Sequence, residues 1–478
     1  MIAPKLFKNF ILLFGGNVLG QLFFFLGLIY LARIFGPAGF GIWNFGQAWM
    51  LYLLRAGELG VEVLAIREIS RQTETTSHWI TAVVSLRIIL AIVLYGILIV
   101  FYWMDFFPPE SSNLIMLFSL LIFPMAFGLE WVFEAHQKIG YVSFSRITKG
   151  IVFYVLVLLF VKSSEHMYRS AILYILSITV PFIVIFITAK IHFGFGKLSS
   201  SIKNGLHIIK NALPIGIATI LSQYSLFFGT IIVGYWLKDV ELGFYTAGHR
   251  LVIFLWAYGI VSSNRILLPT LSRYYHTSME DFSNFIQKFF RLTILAALPI
   301  GLMMVVSAKD MILFLYTSQY QSSVIVFQIL MVALVAAISR SIFEIGFIAS
   351  NHQKKYFYLT LSIAIAYTVF TILLTRWYGI IGAASASLIV EALSLVYVLI
   401  TFQYVKFSIL YRYLWKPVTA ITISIVGVVL FNGFHFIFRI AVGCIVYAGM
   451  LMVMKGVSND DLRWLRRIFS KESNEVLV

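Results

Sequence analysis

The chain has 478 residues, of which 60% are hydrophobic and 12% charged, and carries a net charge of +16. So few charges exclude an ordinary water-soluble globule, and a single cysteine, Cys444, excludes an intrachain disulfide or a cysteine metal cluster. Apolar runs of about twenty residues recur instead, each long enough to cross a hydrocarbon core as a helix, and the short alternating segments of a membrane barrel are missing.

In chain order these runs predict membrane helices at 10–31, 39–62, 79–103, 113–134, 144–161, 169–190, 213–236, 243–268, 286–307, 324–349, 357–376, 380–403, 414–431 and 435–454, about fourteen in all. The first follows Lys5 and Lys8 as a secretory leader would, yet it is too long and lacks an Ala-x-Ala-like site, so it reads as a retained helix. With the N-terminus inside, one set of connections holds Lys5, Lys8, Arg67, Arg71, Lys138, Arg146, Lys149, Lys190, Lys197, Lys203 and Lys210, then Arg273, Lys288, Lys354, Lys355, Lys406, Arg412 and Lys416. The other set holds only Arg33, Lys162, Arg169, Lys238, Lys309, Arg376 and Arg439. The positive-inside rule then predicts a multi-pass protein of the cytoplasmic (inner) membrane with both termini cytoplasmic. The net charge reads as a surface facing anionic lipid, with no need for nucleic acid. The tail Asn459–Lys471 sets Leu462, Leu465 and Phe469 against Arg463, Arg466 and Arg467, an amphipathic helix for the membrane surface capped by Ser458 and Asp461.

Sliding the chain on itself by 202 residues pairs Gln21 with Gln223, Gly27 with Gly229, Gly41 with Gly243, Gly46 with Gly248 and Gly57 with Gly259, and Ser70-Arg71 with Ser272-Arg273. His136-Gln137-Lys138 recurs as His352-Gln353-Lys354 after a small insertion. The expected fold is therefore all-α and polytopic, two six-helix bundles related by a parallel repeat plus two C-terminal helices. The expected segments are an N-terminal lobe at 1–192, a cytoplasmic linker at 193–212, a second lobe at 213–405, and the two extra helices with the tail at 406–478. Two such bundles can rock about a site between them, giving alternating access.

Ionisable groups inside a membrane are costly and point to cavities, partners or the water boundary. Arg55 and Glu58 share a helical face and either neutralise each other or line a cavity. Arg250 has no acid within four residues and either faces a cavity or snorkels. The repeat puts Ala257 opposite Arg55 and Ala48 opposite Arg250, so these cations are specific to one lobe each. Arg340 and Glu344, four apart, suit an ion pair, whereas Arg87 and Arg291 suit snorkelling at the cytoplasmic end. Glu391 has no partner on its own helix and is a candidate for coupling to a cation, with an interhelical hydrogen bond as the alternative. Asn17, Gln21, Gln223 and Tyr224 open the two halves and could bind sugars or join helices. The His-Gln-Lys segments fall in cytoplasmic turns and suit a structural role better than metal ligation. No nucleotide-binding loop, metal-ligand cluster or catalytic constellation occurs, so a transporter is expected, with no cofactor beyond a coupling Na+ or H+.

The segment Tyr30–Arg71 carries Ala32, Arg33, Gly36, Pro37, Phe40 and Gly41, then Gly60 and Arg67-Glu68-Ile69, and resembles the Wzx-type polysaccharide biosynthesis flippases. Glu58 stands where many relatives have aspartate. The resemblance implies the multidrug/oligosaccharidyl-lipid/polysaccharide (MOP) exporter superfamily and a cationic cavity flanked by the helices of Arg55 and Arg250. It also implies an undecaprenyl-diphosphate-linked oligosaccharide as substrate, such as an O-antigen unit, with polysaccharide polymerase and glycosyltransferases as candidate partners. Rival readings are a lipid II flippase or cation-coupled multidrug exporter of the same superfamily, and, in another class, a membrane-embedded glycosyltransferase or polymerase. The last would call for a sizeable external loop or an acidic pair at a loop edge.

Overall fold

Long runs of Leu, Ile, Val and Phe must satisfy their own backbone hydrogen bonds in lipid, and the computed structural model is 90% helical with no strand among the described residues. It describes residues 2–195, 198–259, 261–404, 407–431, 433–454 and 456, with side chains described except over 2–11, 198–207, 257–266 and 407–414 and at eight single positions between 211 and 269. The tail at 459–471 lies outside them.

Contacts divide the chain into two compact units, Leu6–Thr246 and Ala247–Val478 with Met1–Lys5. The first contains α1 (Ile2–Glu58), α2 (Val61–Arg71), α3 (Thr76–Trp103), α4 (Pro109–Ser119), α5 (Ile122–Met125), α6 (Glu130–Ala135), α7 (Ile139–Phe160), α8 (Met167–Phe193), α9 (Leu198–Trp236) and the start of α10 (Asp239–Gly259). The second contains the rest of α10, then α11 (Val261–Thr277), α12 (Met279–Val306), α13 (Ala308–Tyr316), α14 (Ser323–Ala349), α15 (Gln353–Thr401), α16 (Phe407–Leu430) and α17 (Phe436–Val453).

Among the described residues, α1 and α15 are each long enough for two crossings. α1 breaks at Gly36, whose φ of 65° precedes Pro37, and α15 breaks at Gly379, with φ 56°. Only glycine enters that region at little cost, so each break separates two predicted spans. Among the described residues, eight helices are long and apolar enough to cross a membrane, two of them these double ones, and shorter apolar helices occur at Pro109–Met125, Leu226–Trp236 and Trp415–Leu430. With α10 they account for the fourteen predicted spans. The predicted span 113–134 is not one helix but α4, α5 and α6 in succession. Pro124 removes a helical donor, and the carbonyl of Gly128 is taken by Arg87 at 3.3 Å. From Leu198 onward the predicted linker is already helix, and α9 packs on α2 and α3.

The core of the first unit centres on Trp43, which meets Phe118 and Tyr174 edge to face and donates through Nε1 to Ser170 Oγ at 3.0 Å. Outside it, large apolar side chains stay uncovered, Ile92 and Leu159 each 60% exposed. Such a belt is tolerable only with hydrocarbon as solvent.

Each unit shows the repeat separately. A Cβ on Gly46 would meet Phe118 of α4 at 3.0 Å, and one on the repeat-related Gly248 would meet Phe327 of α14 at 3.0 Å. The turn ending the fourth predicted span has Gln137 at φ 54°, and that ending the tenth has Asn351 at φ 58°. In each, the next amide reaches back five residues, Lys138 to Phe133 O and His352 to Phe347 O, both at 2.8 Å. The turns therefore correspond at a shift of 351 − 137 = 214, two residues away from the register of the His-Gln-Lys letters. The backbone turn is what repeats, and the histidines sit differently in it. At this shift Glu130 corresponds to Glu344.

Candidate functional site

In the first unit the predicted Arg55–Glu58 pair forms at 2.6 Å, with Arg55 still 37% exposed and Glu58 12%. Leu59 and Gly60 then take positive φ, redirecting the chain so that Glu62 on α2 meets Arg87 on α3 at 2.5 Å. Arg87 is buried and takes a carboxylate and the Gly128 carbonyl as partners, so it does not snorkel. Between Glu58, Arg87, Ile122 and Met125 remains a cleft of about 10 Å³, scarcely room for one water.

The network continues through pairs that no local spacing rule reveals. Lys149 on α7 binds Glu130 at 2.7 Å and covers the ring of Phe182 at 4.0 Å. Arg146 binds Glu134 at 2.7 Å and donates to Asn17 Oδ1 at 2.8 Å. Glu58, Glu62, Glu130 and Glu134 thus stand against Arg55, Arg87, Arg146 and Lys149, a charge-balanced set. Asn17 is engaged by this network through its Oδ1. Gln21 is exposed. Tyr224 stacks on Phe228, its ring centroid 4.6 Å away, and its carbonyl accepts from Tyr52 at 2.8 Å. The side chain of Gln223 lies outside the described residues.

In the second unit Arg250 on α10 is 9% exposed, next to buried His249. It lies close enough to Tyr316, at the end of α13, to act on its hydroxyl. Burial pushes that hydroxyl above the ordinary tyrosine range, and the guanidinium pulls the other way. Arg250 is thus a buried cation in this structure. Farther along, Arg340 on α14 contacts Glu344, as its spacing predicts, and also binds Glu391 of α15 at 3.0 Å. Glu391 therefore has an interhelical partner, and one guanidinium stands between two carboxylates. Arg291 donates to the Gly456 carbonyl at 2.6 Å, and Arg439 on α17 pairs with Asp310 of α13. Glu62 and Asp310 are the carboxylates that sequence reasoning missed. Both lie at helix starts, where an acid is unremarkable, and their partners are on other helices.

The His136 turn ties elements together. Its Nε2 lies 3.0 Å from Thr76 Oγ1, and its ring stacks on Phe193 with centroids 4.4 Å apart.

Among known proteins, the chain matches the family described as "Polysaccharide biosynthesis protein" over residues 6–275, more than half its length. It is 25% identical over 233 residues to the Escherichia coli K12 protein named "Putative O-antigen transporter", covering 46% of this chain and 54% of that one. The chain thus spans about half the length of that curated relative. Its fold is similar to that of the lipid II flippase MurJ in an inward closed conformation, with a TM-score of 0.75 and 16% identity over 94% of this chain and 98% of that one. It is also similar to an inward-facing multidrug resistance MATE family transporter of the MOP superfamily, with a TM-score of 0.64 and 14% identity over 80% of this chain and 94% of that one. By the first of these matches the chain belongs to the polysaccharide biosynthesis protein family, and its fold is that of the MOP-superfamily transporters.

Proposed function

We propose that the protein is a transporter, not an enzyme, and that it flips an undecaprenyl-diphosphate-linked oligosaccharide such as an O-antigen repeat unit across the cytoplasmic membrane by alternating access. Family membership over residues 6–275 is the observation that carries this reading. A diphosphate cannot cross hydrocarbon without groups that replace its hydration. Arg55 and Arg250 are the cations assigned to it, and their settings give them different tasks. Arg55, half exposed and held by Glu58 at 2.6 Å, exchanges that carboxylate for phosphate oxygens. Arg250, buried beside Tyr316, receives the headgroup once water is excluded and its charge acts at low dielectric.

Direction requires an energy source. Glu391 is assigned to coupling because the Arg340–Glu344–Glu391 trio has two carboxylates for one guanidinium, leaving one negative charge for a Na+ or H+ to balance. A lipid II flippase or a multidrug exporter is the alternative that the fold likeness favours. Lipid II also carries a diphosphate, whereas drug export would favour a net acidic cavity, and the first unit's ionic network is balanced.

Deletion of the gene in its host, followed by complementation, tests the reading. Wild type restores surface glycan, and Arg55→Ala and Arg250→Ala at equal expression lower it about tenfold or more, the cost of one charge-assisted phosphate contact. Full glycan display by both variants would overturn the site assignment. Accumulation of peptidoglycan precursor rather than lipid-linked oligosaccharide in the deletion strain would favour the lipid II reading.

A further inference from the structure

Arg340, Glu344 and Glu391 set two carboxylates against one guanidinium deep in the second unit. Glu391 lies ten residues before the end of α15 at Thr401, about 15 Å along the axis, and Arg340 lies nine residues before the end of α14 at Ala349. An unbalanced charge at such depth in a membrane is costly, so the trio must take up a counter-charge. Its geometry favours a proton over a metal cation. The guanidinium already fills the space between the acids: Nε and Nη2 both meet Glu391 Oε2 at 3.0 Å, and Nη1 donates to Glu344 Oε1. A Na+ set beside that fixed charge would be repelled and would need several further oxygens. Ser394 Oγ, on the next turn of α15, is already turned to the Glu391 carbonyl at 2.9 Å. A proton needs only one carboxyl oxygen. Two carboxylates on one guanidinium repel each other, and keeping one proton between them relieves this. Glu391 receives two N–H donors and Glu344 one, so the charge stays on Glu391 and the proton on Glu344.

The two acids also belong to different helices. Glu344 shares α14 with Arg340, whereas Glu391 ties Arg340 to α15. Phe402, just past α15, packs its ring on Phe343 and Phe347 of α14, with centroids 5.3 and 5.1 Å away, and pins that end of the helix pair. The Arg340–Glu391 bridge holds the pair together eleven residues farther along α15. Among the described residues, the charged groups acting on Glu344 are Arg340 and Glu391, and Tyr356 is the further titratable group that faces the trio. α11 and α12 contribute Leu271, Ile286 and Phe290 to the apolar cluster around Phe343 and Ile345.

We propose that Glu344 carries a proton in this arrangement and that its loss draws Arg340 back onto α14, unclasping α15. The O–H bond of the Glu344 carboxyl breaks, its electron pair stays on the carboxylate, and the proton passes to water at the end of α14, five residues on and about 7.5 Å along the axis. Glu344 then competes with Glu391 for the same N–H donors, at the four-residue spacing that suits a pair within one helix. The bridge to Glu391 weakens, and the helix pair opens about Phe402. This deepens the coupling role assigned above by naming H+ as the ion, and its effect on transport rests on that reading.

The test uses the full-length protein in lipid nanodiscs between about pH 5 and about pH 9. Infrared difference spectra report a protonated carboxyl. Spin labels at the exposed Ile325 and Ile381, in a Cys444→Ser background, report the spacing between α14 and the second half of α15 at the ends away from Phe402. As pH rises, the wild-type carboxyl band is expected to fade and the label distance to lengthen together, with no change when Na+ replaces K+. Glu344→Gln is expected to lose the band and keep the short distance at every pH, and Glu391→Gln to lose the band and keep the long one. A band that survives Glu344→Gln, a wild-type distance indifferent to pH, or a response to Na+ at fixed pH would overturn the proposal. If the clasp responds as expected while proteoliposomes move an undecaprenyl-diphosphate-linked oligosaccharide at a rate indifferent to an imposed pH gradient, the coupling reading falls and the clasp stands.

Discussion

Arg340 is where the cost of a buried charge is most exposed to experiment. Its guanidinium, side chain 11% exposed, faces Glu344 at 21% and Glu391 at 20%. Arg340→Ala strands two carboxylates in the membrane interior and is expected to cost about 3–5 kcal/mol, as loss of one buried partner does. Thermal melting of the purified protein measures it. Glu391→Gln leaves one acid with one base, so it should melt within about 1 kcal/mol of wild type while abolishing any Na+ or pH dependence of transport. In combination the two changes should cost less than their sum, since Glu391→Gln removes one of the stranded charges. Unaltered cation dependence in Glu391→Gln would end the coupling assignment. His136 offers a pH test outside the spans. Burial, aided by Lys138, holds its imidazole below the ordinary histidine range. The folded turn therefore favours the neutral ring, and its contribution is full above the unfolded pKa and is lost as pH falls through the folded one. Protection factors for amide exchange around residues 133–139, normalised to the intrinsic exchange rate at each pH, should fall on going from about pH 8 to about pH 5, and His136→Gln should flatten that dependence.

At the scale of elements, one pair of glycines related by the repeat, Gly41 and Gly243, also touch each other. A Cβ on Gly243 would fall 1.9 Å from the Pro37 carbonyl oxygen, and one on Gly41 would fall 2.7 Å from Gly243 N. Backbone meets backbone there, so no side chain can move aside. Gly243→Ala should cost about 1–3 kcal/mol or more, in line with overpacking, and lower the melting temperature, whereas Gly15→Ala, with nothing within 4 Å, should leave it unchanged. Equal melting of the two variants would refute the close crossing. The sequence shows such elements well where physics is local: apolar length marks spans, and Gly36-Pro37 marks a break. It shows them poorly where partners are distant. Lys149 and Glu130 are 19 residues apart, Arg87 and Glu62 are 25 apart, and Arg340 and Glu391 are 51 apart. No periodicity encodes those distances, so Arg87 reads as a snorkelling cation and Glu391 as solitary until the helices are assembled.

For the whole molecule, orientation follows from charge outside the buried pairs. Arg87 and Arg340 are neutralised by Glu62 and Glu344 and so have little bearing on which loops stay inside, a choice made by cations near the span ends. Lys190 and Lys210 flank the α8–α9 connection, whereas the α7–α8 connection offers Lys162 and Arg169, the former bonded to its own helix end at Leu158 O. The first is richer once Lys197 and Lys203 are added and should stay cytoplasmic. An alkaline phosphatase fusion after Ser164 should be active and one after Gly194 inactive, with a fluorescent-protein fusion giving the converse pattern. Replacing Lys190, Lys197, Lys203 and Lys210 by glutamine should raise phosphatase activity at Gly194, because each cation kept near an anionic leaflet contributes about 1 kcal/mol. An inactive fusion at Ser164 together with an active one at Gly194 in the unaltered chain would invert the topology.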